Sequence, residues 1–279
     1  MEAAETPWAH EKSWREVRDY LDSGNDLAIL PVGSVEQHGP HMPMGHDALA
    51  AHHVAQDAGQ RAGVLVYPTL WYGWTNNHMA LTGTVTLKPE TLTAVVTDIM
   101  SSLLYHGFNR VILVNGHRRA NLAPLEIAVN QMRQKTGAAL AIVDVGIIAF
   151  DRIADIRTTP PGGQGHACEL EASHALHMYP HLVDMEKATP QNSNPNPEWM
   201  TGHHISDPAV DAPRFFYPKT VSEYRAEIGD QGQSGDPTQA TPEKGRAFHE
   251  AVVERLVGVI EYIKTREVNV HHRTAPFED

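Results

Sequence analysis

A single cysteine, Cys168, in 279 residues excludes an intramolecular disulfide framework, a thiolate zinc cage and an iron–sulfur cluster. Any metal must sit on nitrogen and oxygen donors. Basic side chains are also few. Against 34 Asp and Glu there are 22 Lys and Arg, a net charge of −12 at neutral pH, which disfavours a protein that tracks a phosphate backbone. No run approaches the roughly 18 consecutive apolar residues of a membrane span, and the stretch from Met1 to Glu11 is polar and acidic rather than built like an export signal. The expectation is a soluble cytoplasmic protein with no nucleic-acid and no membrane partner. Hydrophobic residues still make up 41% of the chain, enough for a sizeable core.

What the chain has in excess is histidine, 18 of them, gathered around carboxylates rather than in a terminal tag. Most histidines in a protein are surface residues or half-buried hydrogen bonders, so position must decide which are special. Short apolar runs stopped by Gly, Pro or Asn predict buried strands at Leu27 to Val32, Val64 to Tyr67, Val111 to Val114 and Leu140 to Val145. Between them, three-to-four spacing of apolar residues predicts helices at Ala48 to Ala62, Pro89 to Tyr105 and Asn121 to Lys135, and a last one at about Pro242 to Thr265. This alternation implies an α/β fold, a layered α/β/α sandwich with a mostly parallel central sheet. Pro190 to Pro242 is rich in Pro, Asn, Gly, Asp and Gln and reads as a long irregular excursion within one domain spanning residues 1–279.

In such folds ligands gather at the carboxyl ends of the strands. After the first strand come Glu36 and His38, which share a face of extended backbone because the side-chain period is two, and Asp47 returns to them at the start of the next helix. After the third strand comes Asn115-Gly116-His117. These residues make a plausible divalent-metal site, and two metals sharing a carboxylate would need about one more acidic ligand. His166 and Glu169 sit where another helix begins and could reach the same place. The plainer alternative is that Glu169 and Glu171 favour the positive end of that helix at a few tenths of a kcal/mol each, while His166 packs.

The run from Leu30 to His41, LPVGSVEQHGPH, followed by Asp47, resembles the opening signature of the creatininase family of amidohydrolases. The resemblance continues in His78 to Thr84, in Val114-Asn115-Gly116-His117, in His166-Ala167 with a following Glu and Ser173, and in Gly235-Asp236-Pro237 to Glu243-Lys244-Gly245. It implies a dinuclear centre of zinc, manganese or iron, two metals per chain, with Glu36 and His117 on one metal, His38 on the other and Asp47 bridging. It also implies a metal-held water attacking an amide or related C–N bond, with His166 polarising the carbonyl or passing a proton to the leaving nitrogen.

Two departures matter. Creatininases proper carry a glutamate two residues after the histidine matched by His117, whereas this chain has Arg118, Arg119 and Ala120. Glu169 is expected to replace that carboxylate, both as ligand and in catalysis, with Glu171 as runner-up. The tryptophan used in creatinine hydrolysis shortly before the His166 position is also missing from Pro160 to Gly165, so creatinine is not the expected substrate. Arg118 and Arg119, cations at a helix start, call for an anionic partner: a substrate carboxylate or phosphate, or a carboxylate of a neighbouring loop or subunit. Trp74 and His78, with Trp71 and Tyr72, are expected to line a substrate pocket or to form an oligomer contact. His52, His53, His106, His174, His177, His181, His203 and His204 are expected to be structural.

The expected function is a metal-dependent amidohydrolase cleaving a cyclic amide, formamide or small amide of a small polar substrate. It would act on bonds other than peptide bonds and assemble as a homo-oligomer, with a hexamer common among relatives. The alternatives are an isomerase or lyase that uses the same centre, and a non-catalytic relative.

Overall fold

The computed structural model describes residues 6–118, 120–160, 164–191, 218–273 and 275–277. Four parallel strands form the sheet, in the order β2-β1-β3-β4: β1 is Leu27–Val32, β2 Leu65–Val66, β3 Arg110–Asn115 and β4 Ala139–Asp144. All six residues of β1 are buried, as continuous apolar strands covered on both faces require.

Alternation along the strands splits the core in two. Leu27 and Ile29 of β1 join Ile112 and Val114 of β3 against α2 (His46–Ala62) and α8 (Pro242–Lys264) through Val54, Val252, Leu256 and Ile260. Ala28, Leu30, Val111 and Leu113 face the other way, onto α3 (Pro89–His106) and α4 (Leu122–Thr136), where Leu92, Met100 and Leu125 are buried. Helix, sheet, helix is the layering that the sequence predicts.

The chain also forms α1 (Trp14–Asp22), α5 (Phe150–Ile156) and α6 (Glu169–Met178). The Pro190 to Pro242 stretch is less irregular than its composition suggests. It contains α7 (Val221–Ile228), opened by a capping box in which Thr220 and Glu223 satisfy each other's backbone N–H groups, and a short 3-10 turn at Pro237–Gln239. Residues 192–217 of that stretch lie outside the described residues. Among the described residues no helix is long and apolar enough to cross a membrane.

Candidate metal centre and active-site pocket

Val32 and Asn115 are register partners at the ends of β1 and β3, so the segments that follow leave the sheet side by side. The N-terminus of α2 lies across both. A Cβ on Gly33 would sit 2.3 Å from Ala48 Cα, and one on Gly116 would sit 2.0 Å from Asp47 O. Only glycine admits so close an approach, and the approach brings Asp47, in the first turn of α2, to the strand ends. Asn115 and Asn121 then tie the His117 loop down: Asn115 Nδ2 donates to His117 O at 2.7 Å and Asn121 Nδ2 to Gly33 O at 3.0 Å.

The expected residues converge. His117 Nδ1 lies 3.0 Å from Asp47 Oδ2 and 3.4 Å from Glu36 Oε2, and His38 Nε2 lies 3.3 Å from Asp47 Oδ1. Potential ligand atoms of Glu36, Asp47 and His117 fall within 4.8 Å of one another, as do those of His38, His46, Asp47 and Glu171, and Asp47 is common to the two groups. A third group joins Glu36 to His78 and His166. Ser34 Oγ donates to Asp47 Oδ2 at 2.5 Å, and Thr75 Oγ1 donates to Glu36 Oε2, so both carboxylates are oriented by hydroxyls from behind.

The buried acids and imidazoles of this cluster shift one another strongly. Burial pushes Glu36 up to about 7 against the pull of His117. Burial opposes charge on His38 and His117 too, but the carboxylates of Asp47 and Glu36 outweigh it and hold them up to about 10 and about 9. Asp47, despite its burial, is held well below the ordinary carboxylate range by the same two imidazoles. Glu36 Oε1, His38 Nε2 and His117 Nε2 are buried with no hydrogen-bond partner among the described residues, and buried polar atoms left unpaired need an explanation. A donor set of imidazole nitrogens and carboxylate oxygens, without thiolate, fits zinc, manganese or iron.

Glu169 does not join this cluster. Its carboxylate points to the opposite side of α6, where Lys244 pairs with it and it accepts from Thr158 N at 2.9 Å, Thr159 N at 2.9 Å, Thr159 Oγ1 at 2.5 Å and Gln164 Nε2 at 3.0 Å. The expectation that Glu169 supplies the missing ligand and a catalytic group is therefore corrected. Glu171, two residues on and about 200° around the helix, is the carboxylate that meets His38 and Asp47. It is aimed by a strained backbone: Ala167 has φ of 53°, and its N–H donates to Glu171 Oε2 at 2.5 Å. Strain of this kind clusters at functional sites.

His166, from the same turn, places Nε2 2.5 Å from Gln37 O, to which it donates, and Nδ1 3.6 Å from Glu36 Oε1. Burial holds its pKa well below the usual histidine value, so the ring is neutral with a bare Nδ1. Cys168 is pushed up to about 12 by burial and is no nucleophile.

A cavity of about 360 Å³ opens over the cluster, the size of a small-ligand site. His78 and Arg118 line it as expected, together with Thr75, Asn77, Tyr224 and Lys219. Trp74 is not among the lining residues. Its ring packs against the Leu92 side of the core, and its backbone N–H donates to Asn121 Oδ1 at 2.8 Å, so its expected substrate contact is corrected. Arg118 also acts on Asp144, whose carboxyl burial raises and Arg118 pulls back down. Arg119 lies outside the described residues. Sequence reading passed over His46, His174 and Tyr224. A signal for His174 was present, because Glu171 and His174 form a Glu-x-x-His pair that shares one helix face.

The profile of the creatininase family, described as creatinine amidohydrolase, matches residues 10–260. The chain belongs to the creatininase family. It is 33% identical over 193 residues to the creatinine amidohydrolase of Pseudomonas putida, covering 63% of this chain and 74% of that protein. Two further members of the family are similar over most of their length. One is the 3-dehydro-scyllo-inosose hydrolase of Thermotoga maritima, 27% identical with 86% and 78% covered. The other is the mycofactocin precursor peptide peptidase of Mycobacterium tuberculosis, 28% identical with 85% of each covered. Crystallised creatininase superposes with a TM-score of 0.75 at 27% identity over 94% of this chain and all of that one. A manganese creatininase does so at 0.74 and 26%, with the same coverage.

Proposed function

We propose that this creatininase-family chain is a metal-dependent amidohydrolase that cleaves the C–N bond of a small polar amide. The observation that carries this reading is the convergence of Glu36, His38, Asp47, His117 and Glu171 beneath one cavity, with a neutral His166 at its edge. Glu36, Asp47 and His117 would hold one divalent ion and His38, Asp47 and Glu171 a second, of zinc, manganese or iron. When bound, such ions supply Lewis acidity toward a carbonyl and a nucleophilic water at neutral pH. The hydrolase names of the three relatives favour hydrolysis over isomerisation or elimination, and the manganese creatininase favours a divalent metal.

The chain's own residues do the rest. His166 Nδ1, bare and facing Glu36, takes a proton from the attacking water and returns it to the leaving nitrogen. Such a group contributes about 10²–10⁴-fold to rate, so His166→Ala is expected to lower kcat by that factor with metal content unchanged; an unaltered kcat would remove His166 from the reaction. Arg118, on the cavity wall, favours a substrate that carries a carboxylate or phosphate, and the cavity suits cyclic amides and formamides better than long peptides. Hydrolysis in isotopically labelled water should place heavy oxygen in the product carboxylate. A product of unchanged mass would instead mean an isomerase.

Metal uptake should release protons, because His38 and His117 hold theirs up to about 10 and about 9 in the metal-free protein and must lose them to ligate. The sign follows: affinity rises with pH through the neutral range and levels off above those values. Calorimetry at neutral pH in two buffers of different ionisation enthalpy should show net release, and equal heats in both would contradict this electrostatic picture.

Assembly into a homo-oligomer belongs to the same reading. Trp71, Tyr72, Met79 and Val85, on the loops that carry His78, are between 41% and 48% exposed and suit a contact between copies of the chain. Light scattering should give a particle of several chains, and a monomer would refute this.

A further inference from the structure

The cavity wall carries an imidazole that the reaction above leaves unused. His174 lines the cavity three residues after Glu171, on the same face of α6. Its Nε2 lies 3.0 Å from His249 Nδ1 on α8, and His249 Nε2 lies 3.0 Å from Asp57 Oδ2 on α2. His174 and His249 are each 1% exposed, whereas the side chain of Asp57 reaches solvent at 38%. Three helices thus join in a hydrogen-bonded string running from the surface to the cavity.

Each link sets the next. The carboxyl of Asp57 is held below its ordinary range by the His249 hydrogen bond, which outweighs burial, and an ionised carboxylate only accepts. His249 therefore carries its hydrogen on Nε2, and with Nδ1 as the acceptor of the pair no second hydrogen has to be buried on that ring. The hydrogen between the rings belongs to His174 Nε2. His174, which burial holds well below the usual histidine value, is left with a bare Nδ1. His177 flanks His249 at 5.7 Å between ring centroids, but both nitrogens of His249 are already engaged.

We infer that His174 Nδ1 faces the cavity as a hydrogen-bond acceptor, its polarity set by His249 and Asp57, and that it recognises an N–H or O–H donor of the substrate. This rests on reading the cavity as the substrate site. The wall beside it is mixed: the Phe248 ring stands edge-on to His174 at 5.3 Å, Leu170 lines the same cavity one turn earlier on α6, and so do Glu171 and His46, whose ring lies 6.3 Å from that of His174. An acceptor fixed in this way discriminates, because a substrate lacking the donor leaves it unpaired. The substrate class narrows accordingly to small amides that present an N–H or hydroxyl to α6, with any anionic group directed elsewhere.

The test is the histidine tautomer, read by long-range proton–nitrogen correlation NMR on zinc-loaded, full-length protein with isotope-labelled histidine. The expected spectrum has His174 protonated on Nε2 and bare on Nδ1, and the Nδ1 resonance shifts with γ-butyrolactam, whose N–H can donate, but not with its N-methyl derivative. In Asp57→Asn the amide can donate to His249, and the His174 tautomer is expected to become mixed or reversed. A hydrogen on Nδ1 in the wild-type protein overturns the inference. So does an Nδ1 resonance that ignores γ-butyrolactam or answers both lactams alike, or a tautomer unmoved by Asp57→Asn. The tautomer is read without turnover, so absence of amide hydrolysis would defeat the functional reading while leaving this measurement to decide on its own.

Discussion

Glu171→Gln should weaken binding of the ion held with His38 and Asp47 by more than about 100-fold, because losing even an outer-shell partner costs about 10–100-fold in metal affinity and a direct ligand costs more. Activity should fall with it. Glu171 is pushed up by burial and by the nearby Asp47 charge, with His38 pulling the other way. That balance leaves a carboxylate whose charge a cation would satisfy. The fold should survive, since a glutamine oxygen can still accept the Ala167 N–H that Glu171 Oε2 now accepts. A melting temperature within a few degrees of wild type, together with lost activity, separates this outcome from unfolding. Full activity at ordinary metal concentrations would remove Glu171 from the centre.

Glu169→Ala should do the reverse. Glu169 is fully buried, and its carboxylate is the meeting point of Lys244, Thr158, Thr159 and Gln164. Removing one partner of a buried ion pair costs about 3–5 kcal/mol because the other charge is left uncompensated. For a chain of this size that is roughly 5–9 °C in Tm. The effect depends on pH with a definite sign. Burial works to raise Glu169, but Lys244 and the threonine donors hold it at about 2, below its ordinary 4.5. Its contribution is therefore fully present above pH 4.5 and is lost as pH falls toward 2. The gap in Tm between wild type and Glu169→Ala should be constant near neutrality and close in acid. A Tm unchanged by the substitution at pH 7 would mean that the Lys244 network contributes nothing to stability.

These two residues also mark where sequence reading succeeded and where it stopped. Leu27–Val32 and Arg110–Asn115 were legible as parallel strands because they are buried on both faces and carry no polar alternation. The strand-end rule then singled out Glu36, His38, Asp47 and His117, which the fold does bring together. The choice between Glu169 and Glu171 turned on helical phase. Residues two apart on a helix face nearly opposite ways, so only one of them could look into the site, and motif spacing alone did not say which. The partner that draws Glu169 away, Lys244, is 75 residues distant and entered no local argument. Trp74 followed the same pattern: its ring suits a pocket, but the backbone bond to Asn121 turns it to the core.

Helix α7 was missed for a different reason. Its signal, Thr220-x-x-Glu223, is a standard helix start but lay in a stretch dominated by turn-forming residues, and Ile228 is the one buried residue the helix has. Tyr224 reaches the cavity from that helix, so a segment that reads as an irregular loop supplies part of the cavity wall.

Glu171, and not Glu169, is expected to complete a centre of two divalent ions. The most direct test is metal content per folded chain by elemental mass spectrometry, on untagged protein purified without chelator, for wild type, Glu171→Gln and Glu169→Ala. Two ions are expected in wild type, about one in Glu171→Gln and two in whatever fraction of Glu169→Ala folds. One ion lost from Glu169→Ala with two retained in Glu171→Gln would contradict that assignment.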